Sequence, residues 1–265
     1  MRRIIGERGV PPTLQWSIED GVAILRLCRP EKRNALDDIT VRGVEDFFTD
    51  PPEGARAVVI HGEGAHFCAG LDLSSLTERD AEAGIHHSRL WHRAFSRIEF
   101  GRLPTFVVLH GATVGGGLEL AAACHVRIAE ESAFYALPEG SRGIYVGGGA
   151  SVRLSRLIGV ARMMDMMLTG RTYGAREGEV LGFSQYVVPP GEGLAKAIAL
   201  ARRAGENAPL TNYAILQALP RIAGADPETG LLMESLISAI AQDSKEAKSR
   251  LAAFLEGRAA KVSHG

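Results

Sequence analysis

The sequence predicts an α/β protein with a mostly parallel sheet, followed by a helical C-terminal region. Short apolar runs alternate with helical patterns as far as residue 188, the order that produces parallel strands joined by helices. From residue 193 onward the pattern is helical and carries no strand signal. The length of 265 residues suits one large domain or one domain with an appended helical part. We therefore expect an α/β core over residues 1–195 and a helical region over residues 196–265.

The elements of the first half follow from apolar periodicity and turn residues. Residues 1–12 end in two prolines and are expected to form a loose arm. Glu19, Asp20 and Gly21 predict the turn of a hairpin, and Pro51 predicts the end of a helix. The predicted elements are a hairpin of residues 14–17 and 22–27, helices at 37–49 and 84–100, and strands at 55–61 and 105–110.

The segment 110–149 is the one around which the rest of the chain is organised. It begins at the end of an apolar strand and continues through the glycine triplet 115–117 into a helix-forming run. The first N–H groups of such a helix have no partner within the helix, so they favour a negative charge nearby. The predicted elements from here onward are helices at 118–124, 148–158, 161–168 and 175–181, and a strand at 183–188.

Two carboxylates in this segment are candidates for chemistry. Glu119 lies one turn into the predicted helix among leucines and alanines, where a charge is costly unless it is paired, solvated or protonated. Glu139 follows Pro138 in a tight turn between glycines. The alternatives are structural: a buried ion pair of Glu119 with Arg127, and a turn or helix-capping role for Glu139.

Composition excludes several classes of function. The net charge is −1 and the pI is about 6.7, so nothing favours nucleic acid or an anionic membrane. No stretch is long and apolar enough to predict a membrane span or a signal peptide. Three widely separated cysteines form neither a disulfide framework nor a zinc spacing. We therefore expect a cytoplasmic protein.

Other known motifs are missing or poorly spaced. The glycines match neither the dinucleotide-binding nor the nucleotide-triphosphate fingerprint, and no G-x-S-x-G elbow occurs. Cys68 with His66 would make a poor nucleophile and base, because two residues apart on an extended segment is unsuitable geometry. His86, His87 and His92 lack the four-residue spacing of metal ligands on a helix, so no metal site is predicted.

Several segments, taken in their order and spacing, resemble the crotonase family of enoyl-CoA hydratases and isomerases. The resemblance spans nearly the whole chain and implies a ββα-superhelix core with a helical C-terminal region. It also implies assembly as a homotrimer or a dimer of trimers. The segments are RPEKRNAL (29–36), FCAGLDL (67–73), HGATVGGGLE (110–119), FYALPE (134–139) with Gly143 and the glycines 147–149, and FLE (254–256).

The resemblance also implies the site. The substrate would be an acyl-CoA thioester, with no metal or redox cofactor, and Leu71 and Gly116 would supply the two N–H groups of an oxyanion hole. Glu119 and Glu139 would be the catalytic acids. Trp91 and Phe95 are weaker candidates for the acyl pocket, since aromatics at helical spacing more often belong to a core. The expected substrate-binding residues are Arg33, Ala69, Gly70, Asp72, Gly115 and Tyr145.

The presence of both acids favours hydration of a 2-enoyl-CoA to a 3-hydroxyacyl-CoA. Isomerases of the family usually keep only the acid that matches Glu139, because moving one proton requires one base. The alternatives are isomerisation, thioester hydrolysis, C–C cleavage or non-catalytic acyl-CoA binding. The sequence departs from the family where a proline often follows the position of Gly143, since Ile144, Tyr145 and Val146 stand there.

Overall fold

The computed structural model describes residues 4–6, 10–75 and 80–258. Strands and helices alternate through most of this chain, in agreement with the predicted α/β class. The strands in these residues are β1 (Ile4–Gly6), β2 (Leu14–Glu19), β3 (Val22–Leu27), β4 (Ala57–Gly62), β5 (Thr105–Leu109), β6 (Ala112–Val114), β7 (Val126–Glu130), β8 (Phe134–Ala136), β9 (Tyr173–Gly174) and β10 (Tyr186–Val188).

Helices connect the parallel strands and form the C-terminal region. Short 3₁₀ turns occur at Pro30–Lys32, Leu73–Ser75 and Gly140–Arg142. The α-helices are α1 (Asp38–Thr49), α2 (Ala81–Glu99), α3 (Gly116–Ala123), α4 (Ala150–Ile158), α5 (Val160–Thr169), α6 (Ala175–Leu181), α7 (Gly193–Gly205), α8 (Pro209–Ile222), α9 (Pro227–Asp243) and α10 (Lys245–Leu255).

The main sheet is antiparallel at one edge and parallel in the rest. Its strand order in the described residues is β1-β2-β3-β4-β5-β7-β10. The pairs β1–β2 and β2–β3 are antiparallel, and every later pair is parallel. A smaller sheet has the order β6-β8-β9, and its short strands have no apolar run long enough to be predicted. The mostly parallel sheet predicted from the sequence is confirmed.

Strand β4 shows why the central strands read as continuous apolar runs. Val58 and Ile60 belong to the core between the sheet and the helices on one side, and Ala57 and Val59 belong to the core on the other side. A strand buried on both faces has no polar alternation. Within the described residues, no helix combines the length and apolarity that crossing a membrane requires.

Three predicted boundaries are corrected by local contacts. Residues 1–12 were expected to form a loose arm, but they contain β1, which pairs with β2. Helix α2 begins before residue 84, because the Asp80 carboxylate caps it by accepting from the Ala83 N–H at 2.8 Å. The predicted strand 183–188 shortens to β10, because the Phe183 N–H donates to the Gly178 carbonyl and terminates α6.

The described chain divides into two compact units, one ending at Gly205 and the other beginning at Glu206. Helix α7 belongs to the first unit, because Ala197 and Ala201 pack in the same core as Val59 of the sheet. The boundary expected at residue 195 therefore falls inside α7, whose apolar face requires the sheet. The second unit consists of helices α8, α9 and α10.

Three segments of the first unit lie side by side and carry the candidate site. Leu36 forms a parallel bridge to Leu71, and Cys68 forms another to Thr113 in β6. The Cys68 N–H donates to the Ala112 carbonyl at 3.0 Å, and its carbonyl accepts from Val114. The predicted FCAGLDL segment is thereby held between the RPEKRNAL loop and the strand that leads into α3.

Candidate active site

The predicted oxyanion donors are two backbone N–H groups that point away from neighbouring secondary structure. Leu36 donates to the Gly70 carbonyl at 2.7 Å and accepts from the Asp72 N–H at 2.8 Å, so the Leu71 peptide N–H faces the opposite side. Gly116 begins α3, where N–H groups have no partner in the helix. No hydrogen bond found among the described residues uses either N–H group.

Glycines bring these two peptides together. A Cβ on Gly70 would lie 2.7 Å from the Val114 carbonyl oxygen and 3.0 Å from the Gly116 nitrogen. Gly70 also has φ +91°, a backbone conformation that other residues rarely adopt. A Cβ on Gly116 would lie 3.4 Å from the Leu71 nitrogen. The two donors are therefore close neighbours, and a side chain at Gly70 would separate them.

Glu119 extends from α3 to the start of another helix. Its side chain is buried, and Oε1 accepts hydrogen bonds from the N–H groups of Gly148 at 2.8 Å and Ala150 at 3.0 Å. These donors lie at the N-terminus of α4, where a negative charge is favoured. Burial raises the pKa of Glu119, and the N–H groups of Ala150 and Gly148 oppose that rise by stabilising the carboxylate.

Glu139 has fewer partners. It follows Pro138 and precedes the 3₁₀ turn at Gly140–Arg142, and its buried Oε2 has no hydrogen-bond partner in the described part of the chain. Burial, followed by the charge of Glu119, raises the pKa of Glu139 to about 7. A Cβ on Gly115 would lie 2.7 Å from Glu139 Oε1, so glycine at that position lets the carboxyl group approach the start of α3.

One cavity of about 370 Å³ brings most of the predicted chemistry together. It contains both acids, both donor residues and Tyr145, which is largely exposed. Helix α2 forms one wall, on which Trp91 reaches the cavity while Phe95 packs behind it with ring centroids 5.7 Å apart. The lining residues are Leu71, Gly84, His87, Ser88, Trp91, Gly116, Glu119, Glu139, Ile144, Tyr145, Val146, Gly147 and Gly148.

Other predicted substrate residues lie outside the cavity lining. Arg33 is exposed with φ +50°, and its carbonyl accepts from the Ala69 N–H at 2.9 Å. Asp72 is buried and accepts from Arg29 at 2.8 Å and Lys32 at 2.9 Å. The Ser74 hydroxyl, with Lys32 and Arg29, holds the pKa of Asp72 well below its usual range. The Asp72 carboxylate thus fastens the RPEKRNAL loop.

The structural contacts considered as alternatives for Glu119 and Glu139 do not occur in the described residues. Arg127 donates to the carbonyl oxygens of Phe183 at 2.8 Å and Cys124 at 2.7 Å, so its partners are backbone groups rather than Glu119. The Glu139 carboxyl makes no side-chain capping bond to the turn that it precedes. Glu119 therefore lines the cavity without an ion pair to Arg127, and Glu139 lines it without capping the turn.

The cysteine and histidine side chains near the cavity have other environments and contacts. Burial raises the pKa of Cys68 to about 12, so the thiol stays protonated. His66 Nδ1 accepts from the Ala112 N–H at 3.1 Å, and His87 pairs with Asp38 at 2.8 Å. Among the described residues, no group of three or more His, Cys, Asp or Glu side chains could hold a metal ion.

Sequence reasoning missed several supporting residues. Asn34 is buried with φ +56°, and its amide donates to the carbonyls of Glu63 at 2.9 Å and His66 at 2.8 Å. Ser88 donates to the Gly147 carbonyl at 2.6 Å. Asn34 could have been noticed, since asparagine is enriched among non-glycine residues of positive φ. A single serine within a helix, such as Ser88, carries no comparable signal.

Known relatives match this chain along its length. A profile of the family described as enoyl-CoA hydratase/isomerase matches residues 17–264. A provisionally named enoyl-CoA hydratase of Thermus thermophilus is 35% identical over 249 residues, which cover 91% of this chain and 97% of the relative. The short-chain-enoyl-CoA hydratase of Clostridium acetobutylicum is 30% identical, over 91% of this chain and 93% of the relative.

Solved structures share the fold as well as the sequence. A provisionally named enoyl-CoA hydratase from Rhodopseudomonas palustris is 59% identical, with 96% of this chain and 98% of that one covered and a TM-score of 0.92. The enoyl-CoA hydratase of Bacillus anthracis is 30% identical, with 93% and 97% covered and a TM-score of 0.86. The profile match, the relatives and the shared fold together show that this chain belongs to the enoyl-CoA hydratase/isomerase family, the crotonase family.

Proposed function

We propose that this protein hydrates a 2-enoyl-CoA to a 3-hydroxyacyl-CoA. The observation that carries the proposal is the pair of buried carboxyl groups, Glu119 and Glu139, on one cavity with the Leu71 and Gly116 N–H groups. Addition of water to a conjugated thioester needs a base for the water, an acid for the α-carbon and donors for the enolate oxygen. The cavity offers each of these groups in residues of this chain.

The surroundings of the two acids suggest how they divide the work. We assign Glu119 as the base, because the Gly148 and Ala150 N–H groups stabilise its carboxylate against the rise in pKa that burial causes. Glu139 is the better acid, because its carboxyl group has a pKa near 7 and the charge of Glu119 favours its protonated form. Each acid then has one role in a single turnover. Afterwards Glu119 holds the proton taken from water and Glu139 is ionised, so a proton returns from Glu119 to Glu139, directly or through solvent, before the next turnover.

The proposed reaction proceeds through an enolate. Glu119 removes a proton from water while the water oxygen forms a bond to the β-carbon. The electron pair of the carbon–carbon double bond moves toward the thioester, and negative charge develops on the carbonyl oxygen between the N–H groups of Leu71 and Gly116. Collapse of the enolate then takes a proton from Glu139 at the α-carbon, which gives the 3-hydroxyacyl thioester without any external oxidant or reductant.

The remaining predicted residues would serve binding. Ala69, Gly70 and Gly115 flank the two donors, and we propose that they contact the thioester through backbone and van der Waals surface. Arg33 presents an exposed guanidinium on the loop fastened by Asp72, and a CoA phosphate is the anion that it would meet. Tyr145 would contact the acyl group at the open side of the cavity, because its ring lines the cavity and remains exposed.

Direct assay with a panel of enoyl-CoA thioesters tests the proposal. Purified protein should remove the conjugated absorbance of crotonyl-CoA or a longer or aromatic analogue, and mass spectrometry should show the gain of one water. Shift of the double bond without a mass change would instead establish the isomerase. Release of free CoA would establish a hydrolase, and binding of a saturated acyl-CoA without any turnover of the panel would identify a binding protein.

A further inference from the structure

A buried arginine holds the glycine loop of residues 147–149, which presents the Gly148 N–H group to Glu119. Arg153 lies on α4, and its guanidinium is directed into the protein. Nη1 donates to the Gly148 carbonyl oxygen at 3.0 Å. Nε donates to Glu99 Oε2 at 2.6 Å, and Nη2 donates to the Ser96 hydroxyl at 3.1 Å. The guanidinium thus ties the glycine loop to α2 through all three of its nitrogens.

The peptide group of Gly148 lies between the arginine and the acid. Its carbonyl accepts from Arg153, and its N–H donates to Glu119 Oε1 at 2.8 Å. A Cβ on Gly148 would lie 2.9 Å from Glu119 Oε2, and a Cβ on Gly149 would lie 2.3 Å from Arg153 Nη1. Glycine is therefore needed for the close approach on both sides, but three glycines in sequence do not fix their own conformation.

Charge reinforces this geometry. The positive charge of Arg153 favours the ionised carboxylate of Glu119, in opposition to burial, and Glu99 compensates part of that charge. Other titratable groups near this cluster are Glu139, across the cavity, and His92 on α2, whose pKa is lowered by burial and by Arg153. Cys124 at the end of α3 also interacts with the Arg153 charge, but burial raises the pKa of its thiol to about 12. Arg153 can thus influence both where Glu119 lies and when it titrates.

We propose that Arg153 is a positioning residue for Glu119, which fixes the Gly148 peptide that holds the carboxylate and favours its ionised form. The catalytic consequence of this assignment rests on the hydratase function proposed above. Glu99 and Ser96 hold the guanidinium in place. Arg153 itself lies outside the cavity lining, so it acts on the reaction only through the peptide and the charge that it presents to Glu119.

Two substitutions should move the pH profile in opposite directions. Arg153→Gln removes the charge and frees the loop, so kcat for crotonyl-CoA hydration should fall on the order of 10–10²-fold, as for a displaced catalytic group. Its acid limb should move to higher pH, with less than about a threefold change in KM. Glu99→Gln keeps the size of the side chain but leaves the arginine charge uncompensated, so its acid limb should move to lower pH.

Controls separate this role from general stability. Arg153→Lys keeps the charge and one donor and should recover part of kcat. Arg156→Gln removes an exposed arginine from the same helix and should leave kcat and the pH profile at parental values. If Arg153→Gln does not fold, Glu99→Gln still tests the proposal. Parental pH profiles for Glu99→Gln and for every folded Arg153 variant would show that the arginine is only structural.

A readout without turnover keeps the inference separate from the proposed function. Infrared difference spectra between each protein and its Glu119→Gln counterpart isolate the titration of that carboxyl group. The Glu119 titration should move to higher pH in Arg153→Gln and to lower pH in Glu99→Gln, whatever reaction the enzyme performs. If these shifts occur in a protein that has no hydratase activity, the proposed hydratase function is wrong but the role of Arg153 stands. Unchanged spectra would overturn the role of Arg153.

Discussion

At the scale of single residues, the two acids differ in what their carboxyl groups contact. Glu119 accepts from two N–H groups at the start of α4, whereas Glu139 has an oxygen without a partner in the described residues. Replacement of either acid by Gln keeps its size and removes its proton exchange. Glu119→Gln and Glu139→Gln should each lower kcat for hydration on the order of 10²–10⁴-fold, measured by loss of enoyl absorbance.

Two further measurements test whether Glu119 and Glu139 act together in hydration. Affinity for a saturated acyl-CoA should stay near the parental value in both variants, because that ligand needs the donors and not the acids. The double variant should be little worse than either single one, since both acids serve one proton relay. Near-parental hydration by Glu119→Gln would overturn the hydratase assignment, and an isomerase would lose activity only with Glu139→Gln.

The pH dependence of hydration follows from the state that each acid needs. In the proposed reaction Glu139 must carry a proton, so activity should decline as pH rises through about 7, the pKa to which burial and Glu119 raise it. Glu119 must be ionised, so activity should also decline toward acid pH. The expected kcat profile is therefore bell-shaped, with limbs that belong to the coupled pair. A kcat that stays constant from about one pH unit below this pKa to about two units above it would contradict the role of Glu139 as acid.

A side chain at Gly116 would disturb both the oxyanion donor and the wall of the cavity. A Cβ there would lie 2.6 Å from Trp91 Cζ3, so Gly116→Val would displace the aromatic wall as well as crowd the thioester. Loss of one oxyanion donor costs on the order of 10²–10³-fold in rate, and we expect a fall in kcat of that size. Far-ultraviolet circular dichroism checks that the variant folds. Parental turnover by the folded variant would exclude Gly116 as a donor.

At the scale of elements, the site depends on the loop that precedes α1. Asn34 connects this loop to the carbonyls of Glu63 and His66, and the loop in turn bridges to Leu71 through Leu36. The order of the elements was predictable because apolar periodicity is local. The pairing of Leu36 with Leu71 was not, because a single bridge between irregular segments leaves no periodic pattern.

Asn34 and Arg33 form a matched pair for a test of this loop. Both have positive φ, but Asn34 is buried with a bonded amide and Arg33 is exposed. Asn34→Ala should lower the apparent free energy of unfolding by about 1–3 kcal/mol, because it leaves two partly buried carbonyl groups without their donor. Arg33→Ala should change stability by less than about 0.5 kcal/mol.

Urea unfolding measures the stability difference, and steady-state kinetics measures binding. Arg33→Ala should raise KM for an acyl-CoA while kcat stays near the parental value, if the guanidinium meets a CoA phosphate. Equal stability losses in the two variants would contradict the structural role of the Asn34 amide. A parental KM for Arg33→Ala would remove Arg33 from the binding site.

At the scale of the whole molecule, the C-terminal helices expose more apolar surface than a solvated appendix needs. Leu231, Leu232 and Leu236 of α9 and Leu251 and Phe254 of α10 are each more than half exposed. Patches of this kind commonly mark contact surfaces. We propose that they are covered in a homotrimer or a dimer of trimers, the assembly that the family resemblance implies.

Light scattering tests this assembly directly. The parental protein should have the mass of three or six chains at micromolar concentration. Leu232→Lys combined with Leu236→Lys places two charges on one face of α9, since residues four apart are neighbours on a helix. This variant should dissociate, whereas Gln242→Lys, at an exposed polar position of α9, should assemble as the parent does. A monomeric parental protein would contradict the proposal.

The sequence by itself determined the fold class, the family and the segments that carry the candidate site. Periodicity and turn residues are local, and the ordered motifs around Gly70, Gly116, Glu119 and Glu139 can be read without coordinates. Only the tertiary structure decided what surrounds each group: that Arg127 binds carbonyls instead of Glu119, and that Arg153 holds the Gly148 peptide. Such contacts join residues far apart in the chain, and burial and charge at a carboxyl group depend on those neighbours rather than on the sequence beside it.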